Sequence, residues 1–109
     1  MALTDDRFMR LLVMFDLPVL KKEDRKNASL FRKFLINDGY HMLQLSVYSR
    51  ICKGEDTLDK HLRRLNGGLP PKGSVRAIQI TEQQYGRMLF LVGKPQKEEE
   101  LGPEQLLLF

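Results

Sequence analysis

The stretch Leu11-Leu12-Val13-Met14-Phe15-Asp16-Leu17-Pro18 decides how the rest of the chain is read. A short apolar run between Arg10 and an acid has the length of a buried strand rather than a helix. Pro18 fixes its own φ and pushes Leu17 out of α geometry, so the chain turns there. Asp16 therefore stands where a strand leaves its sheet. A carboxylate on such a rigid exit has two readings: a ligand for a divalent cation, or an acceptor for the backbone of the turn.

Outward from residues 8–16, the pattern changes period. Between Lys21 and Asp38, Leu30, Phe31, Phe34 and Leu35 share one helical face while Lys26, Arg32 and Lys33 point elsewhere. Asn37-Asp38-Gly39 supplies the stop. Residues 40–52 alternate as a strand long enough that a kink or bulge near Ser46 would divide it in two. A second helix is predicted from about Asp56 to Leu65, with Leu58, Leu62 and Leu65 inward and Gly67-Gly68 at its end. Leu69 to Gly73 is a loop, and Val75 to Thr81 is rich in β-branched residues and reads as a strand. Residues 82–87 connect to a last apolar strand, Met88 to Val92.

The order β-α-β-β-α-β places the chain in the α+β class on the ferredoxin-like plan, with an extra C-terminal strand. Residues 1–94 form the domain; residues 95–109 form an acidic linker and an apolar tail, Leu106 to Phe109. Both helices on one side leave the opposite sheet face bare. The run 88–92 is apolar on both of its sides and suits a water-exposed edge poorly. Exchange of that strand with a second copy is predicted, with Leu89 and Leu91 in the interface of a twofold homodimer.

Composition narrows the class. The chain has 109 residues, enough for one domain and one core. No apolar run approaches the ~20 residues that cross a bilayer, and Met1 to Arg10 lacks the basic-then-apolar order of a signal peptide. Cys52 is the only cysteine, which excludes an intrachain disulfide and a Cys-based zinc site. A cytoplasmic location without a membrane partner is expected. Residues 1–94 hold 17 Lys/Arg and 10 Asp/Glu, an excess of seven; residues 95–109 hold one lysine and four glutamates, a deficit of three; the net is +4. A basic body of this size points to a polyanion partner. Arg25, Lys26, Arg32 and Lys33, with Lys21 and Lys22 ahead of them, are the candidate nucleic-acid-binding residues, suited to sequence-independent backbone contact.

Two other readings use the same plan. An RNA-recognition module would read bases with exposed sheet aromatics, and only Tyr48 has a comparable strand position. A ligand-sensing module would need a glycine-rich turn between a strand and a helix, and none is evident. His61, between Lys60 and Leu62, reads as a surface residue, and His41 as a structural one.

Four segments together resemble the CRISPR-associated Cas-two family: Val13-Met14-Phe15-Asp16-Leu17-Pro18; Arg25-Lys26 through Phe31-Arg32-Lys33-Phe34-Leu35; Gly39-Tyr40 with Gln44-Leu45-Ser46-Val47-Tyr48; and Gly73-Ser74-Val75-Arg76. The Asp-Leu-Pro turn and the Arg87-Met88 strand look most like members from type II systems. The resemblance implies a homodimer that bridges Cas-one integrase dimers on duplex DNA during spacer acquisition. It also implies that Asp16 is the catalytic acid and magnesium ligand of an endonuclease acting on RNA or DNA.

Overall fold

A computed structural model describes residues 7–95. The elements are β1 (Phe8–Asp16), α1 (Lys22–Asn37), β2 (His41–Gln44), β3 (Val47–Lys53), α2 (Glu55–Gly67), β4 (Ser74–Thr81) and α3 (Glu82–Gly86). The sheet order is β2-β3-β1-β4, and every neighbouring pair is antiparallel. Each of the two long helices joins strands that lie either side of a third. This is the split βαβ arrangement of the ferredoxin-like plan, as expected.

The pleat of β1 divides the molecule. Leu11, Val13 and Phe15 point to the helices and pack with Phe31 and Leu35 of α1, Leu58 and Leu65 of α2, and Tyr48 and Cys52 of β3. Phe15 is the hinge of an aromatic trio, edge-on to Phe31 at 5.1 Å and stacked on Tyr48 at 5.6 Å, spacings at which ring quadrupoles attract. Tyr48 is therefore a core residue, not an exposed base-stacking platform. The even-numbered residues Arg10, Leu12, Met14 and Asp16 point to the other face, opposite Ile80, Ile78, Arg76 and Ser74 of β4.

The predicted long strand 40–52 is two strands. The ladder shifts between Met42 and Gln44, and the chain reverses through Leu45 and Ser46, so β2 and β3 form a hairpin. The connector after β4 is helical. Thr81 caps α3 through its hydroxyl, which accepts from the Gln84 backbone N–H, while the Gln84 side chain accepts from the Thr81 N–H. That reciprocal pair is a capping box.

Residues 88–92 are not a strand within this chain. A strand needs a ladder neighbour, and α3 directs this segment off the end of β4 instead of back along it. Leu89, Leu91 and Val92 are 80%, 89% and 94% exposed. The expected acidic linker and the apolar run Leu106 to Phe109 lie outside the described residues. No helix among the described residues is long and apolar enough to cross a membrane.

Candidate functional site

Asp16 is the last residue of β1, exposed and paired in register with Ser74. Two constraints fix the backbone that carries it. The N–H of Phe15 donates to the Ser46 carbonyl at 3.0 Å, tying the strand exit to the β2–β3 turn. Gly73 adopts φ +101°, and a Cβ there would meet the Asp16 carbonyl oxygen at 2.7 Å. Only glycine allows the loop before β4 to close against the exit at that φ. Beyond the exit, Arg25 of α1 reaches back, its Nη1 donating to the Val19 and Leu20 carbonyls at 3.0 Å each. The acid thus sits on a braced corner.

No hydrogen bond or ion pair engages the Asp16 carboxylate among the described residues, and no group of three or more metal-ligating side chains stands together there. One free carboxylate in water fits a hard cation such as magnesium, which keeps several waters and takes one or two protein carboxylates. It does not fit zinc, which wants a closed set of nitrogen and sulfur ligands. Bound magnesium would polarise a phosphate oxygen and acidify a water. Asp16 would be its single ligand from this chain.

The four candidate nucleic-acid residues divide into two kinds. Arg25 is committed to the loop carbonyls. Arg32 is half-buried, its guanidinium carbon 5.6 Å from the Phe15 ring centroid. Lys26 and Lys33 are exposed with no ion pair among the described residues. Two turns apart, they lie on one stripe of α1 that Lys22 extends.

The sequence reading missed a buried polar cluster. Asp38, at the C-terminal end of α1, accepts from His61 Nδ1 at 2.8 Å and from Arg64 Nη1 at 2.7 Å. Its backbone carbonyl accepts from Arg50 Nε at 2.7 Å. His61 is 2% exposed, not a surface residue. Its signal was the i, i+3, i+7 spacing of Leu58, His61 and Leu65, which share the buried side of α2. Burial pushes the His61 pKa below the ordinary histidine value, aided by the Arg50 and Arg64 charges and opposed by the Asp38 hydrogen bond. The imidazole is neutral and donates its Nδ1–H. Burial alone would raise Asp38, but the hydrogen bonds from His61 and Arg64 hold its carboxyl below the usual value. This cluster joins α1, β3 and α2, with His61 buried and Arg64 half exposed, and it braces the fold.

On the sheet face opposite α1 and α2, Arg10 is 3% exposed. Its guanidinium donates twice to the Glu82 carboxylate, and its Cζ lies 4.1 Å from the Tyr85 ring centroid. This ion pair clamps α3 across β1. Between α3 and residues 88–95 runs a groove of about 280 Å³, walled by Tyr85, Met88 and Phe90.

Comparison with known proteins follows the same residues. A family model described as CRISPR associated protein Cas2 matches residues 9–88. The chain is 50% identical over 102 residues to the CRISPR-associated endoribonuclease Cas2 of Acidovorax ebreus (strain TPSY), covering 93% of this chain and 100% of that protein. It is 49% identical over 89 residues to a protein of the same name from Campylobacter jejuni (strain NCTC 11168), covering 82% of this chain and 62% of that protein. The likeness to the protein of that name from Ligilactobacillus salivarius (strain UCC118) is 43% over 100 residues, 92% of this chain and 99% of that one.

Proposed function

The chain belongs to the CRISPR-associated Cas2 family, and from that premise we propose that it is a subunit of CRISPR adaptation. It works as a homodimer that binds duplex DNA along its basic helices and bridges Cas-one integrase dimers. The observation that carries the DNA reading is the stripe Lys22, Lys26 and Lys33, three exposed cations on one side of α1 with no ion pair among the described residues. A surface of that kind, doubled by a twofold axis, neutralises backbone phosphates without reading bases.

A second activity belongs to Asp16. Relatives carry the name endoribonuclease, and the free carboxylate on its braced corner suits one magnesium ion. In a homodimer with the two strand exits near the axis, two Asp16 carboxylates ~5 Å apart would repel by about 1–3 kcal/mol at effective dielectrics of 80 to 20. A divalent cation between them relieves that repulsion. Phosphodiester hydrolysis of RNA, or of DNA, is the reaction proposed at this acid.

One variant separates the two activities. Asp16→Ala should abolish magnesium-dependent cleavage of an RNA strand while duplex DNA binding stays equal or tightens, since a negative charge near the phosphates has gone. Cleavage that persists in the purified variant would remove Asp16 from the chemistry. Lost DNA binding would refute the separation of scaffold and nuclease.

A further inference from the structure

The outer side of α1 carries an apolar strip that the described residues leave uncovered. Leu30, which the helical period groups with Phe31 and Phe34, is 52% exposed. It lies on the stripe of Lys26 and Lys33, four residues after the first and three before the second. One turn on, the Phe34 ring is half-buried, and a Cβ on Gly68 would stand 2.6 Å from it, so the end of α2 packs directly on the ring. Leu69, the residue after Gly68, is 46% exposed. Beside the ring a shallow cleft of about 390 Å³ opens between the ends of α1 and α2, lined by Asn37, Asp38, Arg64 and Gly67. This strip belongs to the helix layer, on the other side of the sheet from the face that a homodimer would bury.

One segment of this chain matches that surface in both charge and apolar character. Residues 96–109, which follow Pro95, hold four glutamates and one lysine and then run Leu106-Leu107-Leu108-Phe109. The strip offers the complement: Leu30, Phe34 and Leu69 among Lys22, Lys26 and Lys33, three exposed lysines with no ion pair among the described residues. Length is no obstacle. Pro95 and Arg10 wall one groove, so the segment departs near the start of β1. Fourteen extended residues span up to about 46–50 Å, against about 30 Å for β1 and about 24 Å for α1. With residues 88–92 exchanged in a homodimer, the same reach serves the α1 of the second copy, and the covered face is the same.

We propose that residues 98–109 dock on the outer face of α1, with Leu106 to Phe109 on Leu30, Phe34 and Leu69 and the glutamates against Lys26 and Lys33. The segment then stands where duplex DNA would lie and competes with it. Tethered to the domain, it acts at an effective concentration in the millimolar range, so weak contacts suffice to hold it. A DNA backbone must displace it to reach the lysines, and a short or weakly held polyanion does not. The docking is independent of what else binds α1. Its regulatory consequence rests on the DNA reading of the lysine stripe.

The chain holds no tryptophan, so Phe109→Trp in the full chain places a single reporter at the docking end. Its emission should be blue-shifted from that of an indole in water, and Leu30→Asp should return it to the water value. Circular dichroism melts check that Leu30→Asp, at an exposed position, keeps the fold. An indole already in water before the Leu30 change overturns the proposal, as does a blue-shifted one that Leu30→Asp leaves unmoved. A second measurement reads the consequence for duplex DNA. Leu107→Ser with Leu108→Ser keeps every charge, so general repulsion by the glutamates predicts no change in Kd. Release of a segment that covers the lysines about nine-tenths of the time predicts a Kd about tenfold lower. If the indole moves as expected while neither the serine variant nor Lys26→Ala with Lys33→Ala changes the Kd, the docking stands and the DNA reading of α1 fails. If the lysine variant loses affinity while the indole is in water, the DNA reading stands and the docking falls. Lost affinity in the lysine variant with no gain in the serine variant overturns the competition.

Discussion

At Asp38 a single carboxylate serves two helices. It closes α1, then accepts from His61 and Arg64 of α2. Substituting His61 by phenylalanine keeps the bulk but leaves one Asp38 oxygen short of its donor in a buried place. The expected cost is about 1–3 kcal/mol of stability at neutral pH. The pH dependence has a definite sign. His61 has a depressed pKa in the folded state, so the unfolded chain takes up a proton that the folded one refuses. Its contribution is complete above pH 6.5, the ordinary value, and is lost as pH falls through the lowered folded value. In thermal melts the gap between wild type and His61→Phe should therefore narrow as pH drops below about 6.5. A gap that stays constant would mean that folding leaves the His61 pKa unshifted, and a gap that widens would mean that the native protein holds His61 protonated. Legibility at this scale is mixed. Asp16 was readable, because an acid between a strand and a proline has few places to be. His61 was not, because polar neighbours hid its place on the apolar side of α2. Asp38 read only as a helix stop, since its partners come from 23 and 26 residues away.

Among elements, those with a strong period were legible. The strand 8–16 is β1 residue for residue, and α1 and β4 each begin or end within a residue or so of the reading. The division of residues 40–52 into two strands near Ser46 was anticipated as a kink or bulge rather than as a hairpin turn, because the turn carries no glycine, proline, asparagine or aspartate to mark it. The run 88–92 was read as a strand because five apolar residues satisfy that pattern, yet a ladder also requires a neighbour. Within one chain the clamp of Arg10 on Glu82 fixes α3 and points the run away from the sheet. Its exposed leucines then predict a partner of their own kind. Replacing Leu89 and Leu91 with aspartate should convert the proposed homodimer to monomer or aggregate, read by sedimentation. A folded dimer of undiminished stability would rule out strand exchange.

For the molecule as a whole, the basic excess of residues 1–94 was countable from the sequence, but the commitment of each charge was not. Arg25 is tied to two carbonyls of the loop behind Asp16, and Arg32 lies against Phe15. The Arg25 bonds exist only once α1 and its leading loop have formed, and the Arg32 contact only once α1 has docked on the sheet. The exposed lysines therefore carry the expectation for nucleic acid. If duplex DNA lies along α1, log affinity should fall linearly with log salt, with a slope of about −0.9 for each phosphate neutralised. Lys26→Ala with Lys33→Ala should flatten that slope by about 0.9 for each phosphate no longer neutralised, and weaken binding equally on unrelated sequences. Arg25→Ala should act differently. It frees the Val19 and Leu20 carbonyls, lowers the melting temperature and leaves the slope nearly unchanged. The two variants thus distinguish a phosphate track from a basic helix that merely holds its own loop. An unchanged slope in the double lysine variant would move the DNA off α1, and a flattened slope in Arg25→Ala alone would return that arginine to the track.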